Sequence, residues 1–269
     1  MPYLDLSGAS LAYDDDGTGP AVLLLHAGIA DRRMWREQVG PLSVMHRVIR
    51  LDLRGYGEST LTRTPFAHHD DVVALLDHLG VQRAVLVGCS FGGAVAVDTA
   101  LAYPDRVAGL ALIGSALSGH EWSEEVDELW EALAAEVGTD DVDAMAEAEV
   151  RFWVVGPGRD LKTMDPDLLD FAWRMDRRAL AAEAALGQVD VHQLNPVATY
   201  RLNEVRPPTL VTAGGADVPD IRRLADRLAA EIPNAHRLAD IPDAAHLAPL
   251  ERPEDVNRIV LSFLGALRG

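Results

Sequence analysis

Residues 87–93 read Val-Gly-Cys-Ser-Phe-Gly-Gly, and two adjacent side chains there can act as nucleophiles, Cys89 and Ser90. Gly88, Ser90 and Gly92 form the spacing Gly-x-Ser-x-Gly. That spacing suits a sharp strand-to-helix turn, in which the central residue is strained and the flanking glycines remove Cβ atoms that would collide. Centring the turn on Cys89 instead would flank it with Val87 and Phe91, two bulky residues wrong for such a turn. Ser90 is therefore the expected nucleophile, and Cys89 is expected to pack as a small apolar group. A serine hydroxyl needs a base to take its proton, and the base needs an acid to orient it. The sequence offers Asp217 after the strand-like "PTLVTAGG" and His246 in "IPDAAHLAPLERPE". Asp220 and Asp243 stand close to these two, but Asp217 has the Gly-x-x-Asp placement at a strand end. The expected order is nucleophile, acid, histidine.

These residues need a scaffold, and short apolar, β-branched runs supply it. "YLDL" and "SLAYD" read as a hairpin. "AVLLLHA" (21–27), "HRVIRLDL" (46–53), "RAVLVG" (83–88), "VAGLALIG" (107–114), "PTLVTAGG" (208–215) and "HRLADI" (236–241) read as further strands. Several are apolar almost throughout, as strands covered on both faces must be. Helical patterns lie between them: "HHDDVVALLDHLG" closing at Gly80, "FGGAVAVDTALAYP" stopped by Pro104, "PDIRRLADRLAAEIP" and "RPEDVNRIVLSFLGAL". The alternation implies an α/β fold with a mostly parallel sheet and helices on both faces. From about 115 to 205 the alternation stops. Helices are expected there over about 121–137, with Trp122, Val126, Leu129, Trp130 and Leu133 on one face, and over about 140–155. A third starts at Asp165 as N-cap with Pro166 in the first turn and runs to Gly187. Its apolar stripe is Leu168, Ala172, Met175, Ala179 and Ala182.

Taken together, "LLLHAG", "DLRGYGES", "VGCSFGG", "GGAD" and "DAAHLAPLERPE" resemble, in that order, the α/β-hydrolase superfamily in its single-domain esterase, lactonase and perhydrolase-like branch. The resemblance implies an eight-stranded, mostly parallel sheet: a core domain of residues 1–114 and 206–269, with 115–205 as a helical cap over Ser90. It also implies an oxyanion hole built from the N–H groups of Phe91 and of the loop "HAGIAD", with Gly28 at the donor position and Ile29 as the second candidate. Ala27 stands where the family commonly has glycine. His26 is expected to hold that loop, and Asp52 and Arg54 to brace neighbouring loops. One or two of the insert aromatics, Trp122, Trp130, Phe152, Trp153, Phe171 and Trp173, are expected to face substrate. "VVGPGRD" (154–160) reads as a flexible joint, and the whole insert as a mobile apolar lid.

The bulk properties narrow the functions. A formal charge of −18 argues against nucleic-acid binding, which rests on Lys and Arg at phosphates, and against coating an anionic membrane. Lys162 is the only lysine. No apolar run is long enough to span a bilayer. "MPYLDLSGAS" lacks the pattern of a signal peptide, and a single cysteine cannot form an intramolecular disulfide, so a cytoplasmic location is expected. "AHHDD" (67–71) is expected to open a solvent-exposed helix rather than to bind metal, and His236 to be an ordinary strand residue.

The expected activity is hydrolysis of a small carboxylic ester or lactone with no metal or organic cofactor. The rival readings are a carbon–carbon bond hydrolase or perhydrolase, a small-molecule receptor that keeps the triad, and a non-hydrolytic biosynthetic enzyme. Serine at the elbow disfavours dehalogenase and epoxide hydrolase chemistry, whose family members use aspartate. Anionic enol-lactone substrates would call for a cavity arginine, with Arg151, Arg159, Arg174, Arg177 and Arg178 as the insert's candidates.

Overall fold

Runs that are apolar at every position become strands buried on both faces. Ala21–Leu25, Ala84–Cys89 and Thr209–Thr212 are buried at every residue. The computed structural model describes residues 2–139, 141–187 and 189–267; Met1, Asp140 (the expected start of the second insert helix), Gln188, Arg268 and Gly269 lie outside the described residues. Its strands are β1 (Tyr3–Leu6), β2 (Ala9–Asp16), β3 (Ala21–Leu25), β4 (Arg47–Leu51), β5 (Ala84–Cys89), β6 (Val107–Ile113), β7 (Thr209–Thr212) and β8 (Ala235–Arg237). They form one eight-stranded sheet in the order β1-β2-β4-β3-β5-β6-β7-β8. The β1–β2 and β2–β4 pairs are antiparallel and all the others parallel. The helices are α1 (Arg36–Ser43), α2 (His68–His78), α3 (Phe91–Ala102), α4 (Glu124–Val137), α5 (Val142–Glu149), α6 (Pro166–Leu186), α7 (Pro219–Glu231), α8 (Ala248–Glu251) and α9 (Pro253–Ala266). None among the described residues is long and apolar enough to cross a membrane.

Side chains alternate across each strand, so the central strands feed two cores. Leu23, Leu25, Leu86, Leu110 and Leu112 pack with Val72 of α2, Val97 of α3 and Leu224 of α7. Val22, Leu24, Val85, Val87 and Ile113 pack with Leu42 of α1 and with Val256 and Val260 of α9. The parallel register aligns the strand ends: Leu25 lies opposite Gly88, and Cys89 opposite Ile113. The loops after β3, β5 and β6 therefore open on one edge. At the last strand the ladder is shorter than the pattern "HRLADI" predicts. It breaks after Arg237 and resumes as a bridge between Gly214 and Ile241.

Between β6 and β7 the chain is mostly helical as far as Leu186, as the loss of alternation predicts, and beyond it Val191 makes an isolated parallel bridge with Phe66. α4 and α5 are followed by a π-helical turn over Val150–Val155 and then by α6. Asp165 caps α6 by accepting the Asp167 N–H at 2.9 Å, with Pro166 in the first turn. The insert contributes to both cores, through Val126 and Phe152 on one side and Ala172 and Met175 on the other. The Gly-Pro-Gly segment and the Arg159 that follows it touch the core domain's loops. Arg159 reaches the Glu251 carboxylate at 2.7 Å and the Asp243 carbonyl at 3.2 Å. A Cβ on Gly156, which has φ 76°, would sit 2.5 Å from the Ala216 carbonyl oxygen.

Candidate active site

Ser90 follows the last residue of β5 and caps α3 with φ 50° and ψ −119°. A non-glycine residue in that region carries a strain of about 1–3 kcal/mol and persists only where its surroundings enforce it. Here the Ser90 N–H donates to the Ile113 carbonyl, and the Ser90 carbonyl accepts the N–H groups of Gly93, Ala94 and Ala116. The neighbouring glycines are required by close approach. A Cβ on Gly88 would meet the Gly92 carbonyl oxygen at 2.5 Å, one on Gly92 would collide with the Leu25 carbonyl, and one on Gly93 with the Ser115 side chain. Gly92→Ala is accordingly expected to cost at least about 1–3 kcal/mol, because the obstacle is backbone. Its melting temperature should fall below wild type, and an unchanged melting curve would contradict this account of the turn.

Cys89, beside it, points the other way. It is fully buried, and its thiol donates to the His246 carbonyl at 3.5 Å. Burial, reinforced by the Asp217 charge, pushes the thiol far above its ordinary pKa, so no thiolate forms there.

Asp217 and His246 meet beyond the ends of β7 and β8. The His246 Nδ1–H donates to both Asp217 oxygens, at 2.9 and 3.0 Å, and the two residues are only 2% and 3% exposed, His246 and Asp217 respectively. A carboxylate only accepts, so Nδ1 carries a proton, and in the neutral ring Nε2 is then the acceptor. The Val218 N–H fixes the Asp217 carboxylate at 2.8 Å. Ser90 and His246 line the same cavity, without a direct hydrogen bond between their side chains. The other two aspartates sit elsewhere. Asp220 accepts the Ser123 N–H at 2.7 Å and pairs with Arg223. Asp243 has an 87% exposed side chain, 3.6 Å from Arg252.

Gly28 and Phe91 also line the cavity, and so does Ile29. Among the described residues, the N–H groups of Gly28 and Phe91 donate to no protein acceptor. The loop carrying Gly28 is held by His26, whose ring is fully buried. Its Nε2 accepts the Leu53 N–H at 3.0 Å, so Nδ1 carries the proton and donates to the Ala27 carbonyl at 2.8 Å. Burial lowers the pKa of His26, which keeps it neutral in this two-sided role. Asp52 accepts the N–H groups of Arg32 (2.7 Å) and Glu58 (2.8 Å) and also pairs with the Arg32 guanidinium.

The cavity is about 580 Å³. Of the six insert aromatics, Trp153 alone lines it, and its ring lies 4.5 Å from that of His246, tilted by 34°. The helix opened by "AHHDD" is not solvent-exposed at its start. His69 and Asp71 are buried, and the Asp71 carboxylate pairs with Arg54 at 2.6 and 2.9 Å. His68 also lines the cavity, and burial drives its pKa down to about 3. No group of His, Cys, Asp or Glu among the described residues is arranged to hold a metal ion. His236 is exposed on the edge strand β8.

Sequence reasoning missed Tyr56 and the acidic face of α6. The lid was expected to be apolar, yet Asp176 and Glu183 line the cavity beside Ala179 and Leu180. The signal was present: positions 176, 180 and 183 fall on one helical face. Asp176 is four residues beyond Ala172, within the stripe read as purely apolar.

A family model described as the alpha/beta hydrolase fold matches residues 20–253. The dihydrolipoyllysine-residue acetyltransferase component of the acetoin cleaving system of Pseudomonas putida is 32% identical over 91% of this chain, which spans 64% of that protein's length. Among solved structures, a thermophilic esterase from Thermogutta terrifontis is 30% identical with a TM-score of 0.78, covering 100% of both chains. The enol-lactonase from Burkholderia xenovorans LB400 is 27% identical with a TM-score of 0.77, covering 98% of this chain and 100% of that one.

Proposed function

The chain belongs to the α/β hydrolase family, and on that premise we propose that it is a serine hydrolase cleaving a small carboxylic ester or lactone. The observation that carries the reading is the strained Ser90 sharing one cavity with a His246 whose Nδ1–H is held by Asp217. In this reaction His246 Nε2 takes the Ser90 proton as Oγ attacks the carbonyl carbon. The N–H groups of Gly28 and Phe91 receive the developing oxyanion, where each such donor is worth about 10²–10³ in rate. Asp217 stabilises the imidazolium, which protonates the departing alcohol. Water, deprotonated by the same ring, then releases the acid from the acyl-enzyme. The chemistry calls on no cofactor.

Residues 115–205 act as the cap of this site, with 1–114 and 206–269 as the core domain. Support comes from the insert's own side chains, since Glu149, Trp153, Asp176 and Leu180 line the cavity that holds Ser90. Turnover of short-chain aryl esters and lactones, with 1,3-diketones as the carbon–carbon comparison and products identified by mass, tests the reading. Release of acid and alcohol over many turnovers is expected. Ligand binding without turnover, or diketone cleavage alone, would contradict it.

A further inference from the structure

The cavity that holds Ser90 is lopsided in charge. Arg54 is the only arginine lining it among the described residues, and its charge is already balanced by Asp71. The insert's arginines are engaged or exposed away from it. Arg151 pairs with Glu136 and Glu147, Arg159 with Glu251, Arg174 with Asp170, Arg177 with Asp143 and Arg201 with Glu204, while Arg178 is exposed and absent from the cavity wall. Against this the insert sets three carboxyl groups into the cavity: Glu149 at the end of α5, and Asp176 and Glu183 on α6.

Glu149 and Asp176 lie close enough, across the contact of α5 with α6, to influence each other's charge. Burial raises both above the ordinary carboxylate range, with the Glu183 charge adding to Glu149 and the Glu149 charge to Asp176. The same three carboxyls, after burial, raise the phenol of Tyr56. The Tyr56 hydroxyl lies 3.9 Å from where a Cβ on Gly28 would stand, and both residues line the cavity with the three carboxyls.

A separate observation points to an absent donor. Asp98, on α3, also lines the cavity and is only 8% exposed. Its Oδ2 accepts the Ser118 hydroxyl at 2.7 Å, but its Oδ1 is buried with no partner among the described residues. Asp176, 1% exposed, likewise leaves Oδ2 unpartnered. A buried acceptor without a donor is costly, and a ligand bearing N–H groups removes that cost. The Arg54 Nη1, also unpartnered, can receive a neutral carbonyl or ether oxygen of the same ligand.

We propose that the wall formed by Glu149, Asp176 and Glu183, with Asp98, is a cation subsite, so that the substrate is an ester carrying a protonated amine and anionic esters are rejected. This rests on the reading of the cavity as an ester-hydrolysing site. Charge-assisted hydrogen bonds of this kind correspond to a preference of roughly 10- to 150-fold.

The test uses p-nitrophenyl esters of equal acyl length ending in dimethylammonium, methyl or carboxylate, and a second series with the same groups on the alcohol side. In at least one series kcat/KM is expected to fall in the order ammonium, methyl, carboxylate, with the extremes at least about tenfold apart. In Glu149→Gln/Asp176→Asn the ammonium-to-carboxylate ratio should drop towards one.

In wild type that ratio should grow as pH rises from about 6 to about 8.5, since carboxyls raised to about 7 and about 8 lose their protons over that range while the ammonium keeps its own. The titratable and charged groups that line the cavity with the pair are Glu183 on α6, Tyr56 and Arg54 on the loop after β4, His68 and His69 on α2, Asp98 on α3, His192 and His246. A ratio of two substrates cancels any pH effect that acts on both alike.

Calorimetry on Ser90→Ala with the same esters reads binding without turnover and should give the same order. Equal or carboxylate-preferring binding in both series would overturn the subsite even if every ester is hydrolysed. Ordered binding with no turnover in wild type would leave the subsite standing and overturn only the hydrolase reading.

Discussion

Ser90→Ala is expected to reduce turnover of the best ester by about 10⁶-fold, the scale on which removing a serine nucleophile acts in this type of site. Removing Oγ leaves no group to form the acyl-enzyme, because the neighbouring thiol cannot substitute. Cys89 is fully buried, engaged with the His246 carbonyl, and held neutral by burial. Cys89→Ala should therefore keep most of the activity and lose only stability, by the amount a small buried side chain contributes. Steady-state rates of the two variants, read beside their melting curves, decide the matter. A Cys89→Ala enzyme as inactive as Ser90→Ala, yet folded, would contradict the assignment.

Asp217→Asn is expected to lower kcat by up to about 10⁴-fold while changing KM little. The side chain keeps its size, but its amide offers an N–H where His246 Nδ1–H needs an acceptor. The ring then turns or takes the other tautomer, and Nε2 no longer accepts the serine proton. The loss of charge also removes the partner of the imidazolium. Asp220→Asn should be much milder in rate, since that carboxylate ties Ser123 and Arg223 together and does not touch the His246 ring. Asp243→Asn, on an exposed side chain, should be milder still. An Asp220 variant as damaged in kcat as the Asp217 variant would contradict this division of labour.

What could be read from the sequence follows from which forces are local. The strand β5, the turn at Ser90 and the helix α3 were legible because the turn excludes side chains at Gly88 and Gly92, a constraint written within five residues. The hairpin, the buried parallel strands and the cap of α6 by Asp165 were legible for the same reason: each is a pattern of polarity or capping within one element. The loop positions of Asp217 and His246 could be read from the strands that precede them, although their hydrogen bond is a tertiary fact.

What escaped depends on partners far along the chain. The start of α2 was read as exposed because His and Asp are polar, but Arg54 reaches Asp71 and draws that turn inward. The glycine-rich joint at 156–158 reads as flexible from its residue types, and the ion pair of the adjoining Arg159 with Glu251, 92 residues away, lies beyond any local pattern. The acidic wall was hidden by a stripe read for its alanines, and only the packing of α5 against α6 brings Glu149 to Asp176.

Ser90 is the expected nucleophile of this cavity, and a serine-directed fluorophosphonate tests it without prior choice of substrate. Peptide mapping by mass after reaction with the wild-type protein should place a single adduct on Ser90, in step with loss of esterase activity. Ser90→Ala should remain unlabelled under the same conditions. An adduct on Cys89 or another residue, or undiminished labelling of Ser90→Ala, would contradict the account.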